Sequence, residues 1–148
     1  MTAEPYRDTI YIAALPEVVF EYFTKPEALV LWMGDSAVLD PRAGGEFTLH
    51  FGERCVEGRY LEVDVPRRLV ISWGRRGSSS FPPQTSTLEV LLSQEGEGTR
   101  VSIVHSGLPD SETTRHALGW RHYLARLGVV SGGGSLPSQV TPAALDAD

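Results

Sequence analysis

Between residues 99 and 130 a β-type run, a proline stop and one long amphipathic stretch follow one another, and this order constrains the fold more than any other feature. Val101, Ile103 and His105 alternate with Ser102, Val104 and Ser106, the period of a half-buried strand. Pro109 ends the run. Residues 111–130 then form the only long helix the sequence supports, with Ala117, Trp120, Leu124 and Leu127 in one apolar stripe. The stripe must be buried, and the β-rich runs upstream supply a sheet for it to lie on. A lone long helix on a curved antiparallel sheet leaves a space between the two, so function is expected there.

Upstream, residues 1–8 read as loose polar chain and 8–14 as a first strand. Pro16 suits the first turn of a short helix, where its missing N–H costs nothing, and Val19, Phe20 and Phe23 give that helix its buried side. Lys25-Pro26 stops it, and a second helical stretch over 27–32 ends at Gly34. After Gly44-Gly45 the period becomes two. Runs at 46–51, 55–65, 69–73, 88–92 and 99–105 stand at hairpin spacing and predict an antiparallel meander, so about six strands in all. At the helix start, Asp110 or Ser111 is expected to accept hydrogen bonds from free N–H groups, with Glu112 favoured by the helix dipole. Arg115, His122 and Arg126 oppose the stripe and read as solvated. Gly119 is unfavourable in a helix by about 1 kcal/mol against alanine, which predicts the close approach of another element there. Gly128 reads as fraying near the helix end. From residue 131 the composition turns to Gly, Ser, Pro and Ala, the signature of a disordered tail over 131–148.

The 148 residues fit one domain, placed at 9–130, with enough length for a core without disulfides or metal. A net charge of −6 argues against nucleic acid or an anionic membrane as partner, because both need a basic face. Arg67-Arg68 and Arg75-Arg76 flank one predicted strand and read as solvated turn residues. The single Cys55 rules out an internal disulfide and reads as an inert thiol; no Cys/His spacing resembles a zinc site, so no metal or cofactor is expected. With no long apolar run and no leader, the cytoplasm is the expected location.

Six motifs in chain order carry a resemblance: Ala14-Leu-Pro-Glu-Val-Val-Phe20, Trp32, Gly44-Gly45, the run from Gly58 through Val63 with Pro66, Leu69 and Trp73, the run from Thr99 through Gly107, and Gly119-Trp120 with Leu124 and Leu127. Together they resemble the START-like (SRPBCC) superfamily, and within it the activator of Hsp90 ATPase homologue (AHSA1-like) family, over residues 9 to 130. The resemblance implies an α+β helix-grip fold with a hydrophobic cavity between a curved antiparallel sheet and the C-terminal helix. Relatives use that cavity for lipids, hormones or polyketides. The co-chaperone that names the family carries a separate Hsp90-binding domain ahead of this one, so direct Hsp90 binding is not expected here.

On this frame, His105 shares the face of Val101 and Ile103, where an imidazole could orient a ligand or move a proton. The other reading is a hydrogen-bonded histidine near a strand end. Trp32, Phe47, Leu49, Tyr60, Trp73, His116, Trp120 and Tyr123 are the remaining cavity candidates, each weighed against plain core packing. Glu57 and Arg59 share one strand face, read as turned to water. The expected function is binding of a small apolar or aromatic molecule, with walls from Trp73, Trp120 and Tyr123, a polar end at His105, and a lid from Trp32 and the 78–83 loop. The alternatives are a cyclase or hydratase using His105 or Glu57 as acid or base, and a co-chaperone-like interaction module with a filled core. A homodimer is common in folds with an exposed sheet face or edge, and the sequence leaves the oligomeric state open.

Overall fold

The alternating runs become one antiparallel sheet of seven strands in the computed structural model, which describes residues 4–132. In chain order they are β1 (Tyr6–Ile12), β2 (Ser36–Leu39), β3 (Glu46–Phe51), β4 (Arg54–Asp64), β5 (Arg68–Arg75), β6 (Ser86–Glu95) and β7 (Gly98–Ser106). The spatial order β1-β7-β6-β5-β4-β3-β2 makes β2 to β7 an unbroken meander, with β1 added beside its last strand. Helices α1 (Pro16–Thr24) and α2 (Pro26–Leu29) connect the two edges, and α3 (Thr113–Ser131) follows a 3-10 turn at Asp110–Glu112. This is an α+β helix-grip fold: a curved sheet closed around one long helix.

Two strands depart from the sequence expectation. β1 begins at Tyr6, which pairs with His105, so residues 6–8 are strand and not loose chain. Backbone pairing with β7 needs no apolar side chain, which is why polarity hid it. β2 is additional: four residues are too short to show a period, and it forms an edge, pairing only with β3.

Register fixes the two faces of the sheet. Phe47 pairs with Gly58 and Leu49 with Val56, so Glu57 and Arg59 fall on the opposite, outer face. There the Arg76 Nε–H donates to Glu57 at 2.6 Å and Arg59 Nη1–H to the Gly44 carbonyl at 3.0 Å. The register then shifts between Tyr60 and Glu62, a bulge that bends β4.

The last carbonyls of α1 lack helical partners and find them elsewhere. Beyond the closing helical bond from Lys25 N–H to the Glu21 carbonyl, Trp32 Nε1–H donates to the Tyr22 carbonyl at 2.9 Å and the Tyr60 hydroxyl to that of Phe23 at 2.8 Å. Both aromatics are fully buried, and their polar ends hold α1 onto the sheet.

In α3, Trp120, Leu124 and Leu127 are buried while Ala117 is half-buried. No side chain caps its first turn: Glu112 occupies the N-cap position and Asp110 and Ser111 belong to the 3-10 turn. Gly128 makes a close approach of its own: an added Cβ there would stand 3.0 Å from Ile10 Cδ1 on β1. Gly128 is thus a packing position, and the helix continues to the buried Ser131. Arg126, read as solvated, is buried with Nη2 3.5 Å from the Leu31 carbonyl. The tail expected over 131–148 lies outside the described residues from 133 onward. Among the described residues no helix is long and apolar enough to cross a membrane.

Candidate functional site

Between α3 and the strands β4 and β5 lies a cavity of about 80 Å³ that widens to about 610 Å³ when the open space at its mouth is included. Its buried floor is Met33, Cys55, Trp73, Phe81, Gly119, Trp120 and Tyr123. Its half-buried rim is Phe51, Arg54, Val56, Arg75, Arg115 and His116. At about 80 Å³ the cavity has about half the ~150 Å³ that admits benzene in an engineered protein cavity, and it is open to solvent.

Gly74 makes the floor possible. A Cβ there would overlap the Pro82 carbonyl oxygen, so only glycine lets the loop after β5 fold back against the strand. Arg75 N–H then donates to the Phe81 carbonyl at 2.7 Å and Phe81 N–H to Ser78 Oγ at 2.9 Å. The loop thereby drops Phe81 into the cavity, edge-on to His116 with ring centroids 5.3 Å apart.

Of the residues expected at the cavity, Trp73, His116, Trp120 and Tyr123 line it. Trp32, Phe47, Leu49 and Tyr60 do not. Trp32 and Tyr60 hold the end of α1. Phe47 packs beneath the floor, 5.5 Å from the Trp73 ring and 5.6 Å from Tyr60, and Leu49 is fully buried under Gly34. Trp32 therefore lies away from the cavity, whereas the 78–83 loop reaches it through Phe81.

His105 is fully buried one layer behind the cavity wall. Trp120 Nε1–H donates to its Nδ1 at 3.0 Å, so Nδ1 carries no proton. Nε2 then carries it and donates to Ser86 Oγ at 2.8 Å, and the Ser86 hydroxyl donates to the Trp73 carbonyl at 2.8 Å. Every donor and acceptor in this chain is used, which selects one neutral tautomer. Burial pushes His105 well below the ordinary histidine value of 6.5, with His116 adding to the shift. His105 links helix to sheet and has no nitrogen left for a ligand or a proton transfer. Burial likewise lowers His116, whose Nδ1 lies 3.1 Å from the Glu112 carbonyl; Arg75 and Arg115 add to the lowering, and Glu112 opposes it.

These shifts set a pH dependence. The unfolded chain binds protons at both histidines below about pH 6.5 and the folded one does not, so their stabilising contribution is complete above 6.5 and falls as pH falls. Each proton adds a slope of up to about 1.4 kcal/mol per pH unit. Denaturation midpoints at pH 7.5 and 5.5 should show the loss, and nitrogen chemical shifts should report His105 as the Nε2–H tautomer at both. A charged His105 at pH 5.5 in the folded protein would contradict the arrangement.

Sequence reasoning missed the charged rim. Arg75 and Arg115, both read as solvated, keep only 17% side-chain exposure. Glu112, read as a dipole partner, is 4% exposed; Arg75 Nη2–H donates to its Oε2 at 3.1 Å, and Arg115 Nη1 stands 3.8 Å from the same oxygen. The signal in the sequence was acidic Glu112 three residues ahead of Arg115 on the buried shoulder of a helix, which only the stripe's true phase reveals. Among the described residues no group of three or more His, Cys, Asp and Glu side chains forms a metal site.

Residues 13–132 match the family model described as activator of Hsp90 ATPase homolog 1-like protein. Among solved structures the chain is similar to an AHSA1-like protein of Rhizobium etli at 37% identity, over 90% of this chain and 84% of that one, with a TM-score of 0.70. It is similar to an HSP90 activator of Plasmodium falciparum at 25% identity, over 88% and 97% of the two chains, with a TM-score of 0.73. The Aha1 dimer of Colwellia psychrerythraea shares the fold at 15% identity and a TM-score of 0.78, over 89% and 100%. No curated protein matches the chain.

Proposed function

The chain belongs to the activator of Hsp90 ATPase homolog 1-like family, and from that premise we propose that it binds a small apolar or aromatic molecule between α3 and the sheet. One observation carries the reading: the cavity has an aromatic floor of Trp73, Phe81, Trp120 and Tyr123 and opens to solvent. The fold in general supports ligand binding. The cavity is built from one chain, so a homodimer like the Colwellia psychrerythraea relative is compatible with it. Hsp90 activation belongs to the Plasmodium falciparum relative and is not carried over.

An enzyme using His105 or Glu57 has less support. His105 has both nitrogens engaged, and Glu57 sits on the outer face against Arg76.

Two one-ring probes test the proposal, 4-phenylbutanoate and its methyl ester. At least one should shift the Gly119 amide and Trp73 indole signals in nitrogen-correlated NMR spectra. A Gly119→Leu variant places a side chain at the cavity wall and should weaken that binding at least tenfold, while the added helix propensity of about 1 kcal/mol supports the fold. The proposal fails if neither probe moves these signals.

A further inference from the structure

Building on the proposed cavity, we infer that its ligand is an organic anion, an acid whose apolar body lies on the aromatic floor and whose negative head meets Arg115 and Arg75 at the rim. The lining holds three arginines, Arg54, Arg75 and Arg115, and no Asp or Glu, in a chain whose net charge is −6. Behind the lining, the single Glu112 carboxylate faces both Arg75 and Arg115, which leaves one positive charge uncompensated among those three side chains.

Hydrogen bonding points the same way. Among the described residues, Arg115 Nη1 and Trp73 Nε1 are buried donors without a hydrogen-bond acceptor, Arg115 Nη1 standing 3.8 Å from Glu112 Oε2, and both belong to lining side chains. Buried donors without partners are rare, because each forfeits its hydrogen bond to water. An anionic oxygen is the strongest acceptor for such groups, and a guanidinium is suited to a carboxylate by geometry as well as charge. A neutral hydrocarbon would leave both donors orphaned and the extra charge unmatched. His116 adds no charge of its own to the mouth, since burial lowers its pKa and favours the neutral ring, which stands between Phe81 and His105.

The same probe pair decides the matter, because 4-phenylbutanoate and its methyl ester share a body and differ in head charge. On the unaltered protein the acid should bind at least tenfold more tightly than the ester, read at the Gly119 amide and the Trp73 indole N–H. The Trp120 indole N–H, already bonded to His105, should move less. An Arg115→Met variant should bring the acid-to-ester ratio toward one. Equal binding of acid and ester by the unaltered protein overturns the anion inference and leaves the cavity proposal standing. Absence of binding by both overturns the cavity proposal and this inference with it.

Discussion

Replacing Trp120 by alanine should lower the stability of the protein by about 3–5 kcal/mol, the range for deleting a large buried aromatic. Trp120 is 3% exposed, and its ring packs 5.6 Å from Trp73 and 6.0 Å from His105. Two losses combine. The first is a void beside the existing cavity, where the floor has already lost neighbours on one side. The second is electrostatic: without the indole N–H, His105 Nδ1 becomes a buried acceptor with no donor, at a cost of about 1–3 kcal/mol. Trp120→Phe shifts the balance between them, since it keeps a six-membered ring in the site while removing the donor and part of the indole. It should lose about 1–3 kcal/mol and let His105 titrate closer to 6.5, because no N–H then opposes a proton on Nδ1. Urea unfolding at pH 7.5 gives the stabilities, and the His105 ring signals give the titration. A loss below about 1 kcal/mol for Trp120→Ala, against the range expected for a packed aromatic, would remove Trp120 from its place as the joint between helix and sheet.

What the sequence disclosed follows from which forces leave a periodic trace. The alternation of Phe47, Leu49, Ile71, Trp73, Val101 and Ile103 announced the meander, since each pair of positions separates an inner from an outer face. The stripe Trp120, Leu124 and Leu127 announced α3. Four residues of edge strand, Ser36–Leu39, carry no such trace, because backbone hydrogen bonds hold them. The cavity was legible by place but not by wall. Aromatic residue types do not reveal whether an indole N–H or a phenol points to a ligand or to a helix end, and Trp32 and Tyr60 turned out to serve α1. Arginine misled in the opposite direction. Arg75, Arg115 and Arg126 sit where one-dimensional reasoning places solvent, yet long aliphatic stems let such side chains be covered while the guanidinium finds a carboxylate or carbonyl. Their partners, Glu112 and the Leu31 carbonyl, come from elsewhere in the turn or from distant chain, and no local pattern records them.

Glu112 makes the second large prediction, and here stability and binding should move in opposite directions. Glu112→Gln removes the charge while nearly preserving shape, and it leaves Arg75 and Arg115 without their carboxylate. Breaking a buried ion pair costs about 3–5 kcal/mol, and the 17% exposure that each guanidinium keeps places the expected loss near the lower end, about 3 kcal/mol. The triple variant Glu112→Leu with Arg75→Met and Arg115→Met should recover much of it, because apolar groups of similar volume replace a buried ion-pair group at little or no cost. Glu112 is also the only carboxylate among the described residues set against both Arg75 and Arg115, so its neutralisation adds positive charge next to the mouth. The Glu112→Gln variant should therefore bind 4-phenylbutanoate more tightly than the unaltered protein does, and the methyl ester no more tightly. Calorimetric titration at a temperature well below the variant's melting point reads both affinities. If acid and ester affinities instead fall together with stability, Glu112 acts by holding Arg75 in place, and the rim's charge balance does not set affinity for the acid.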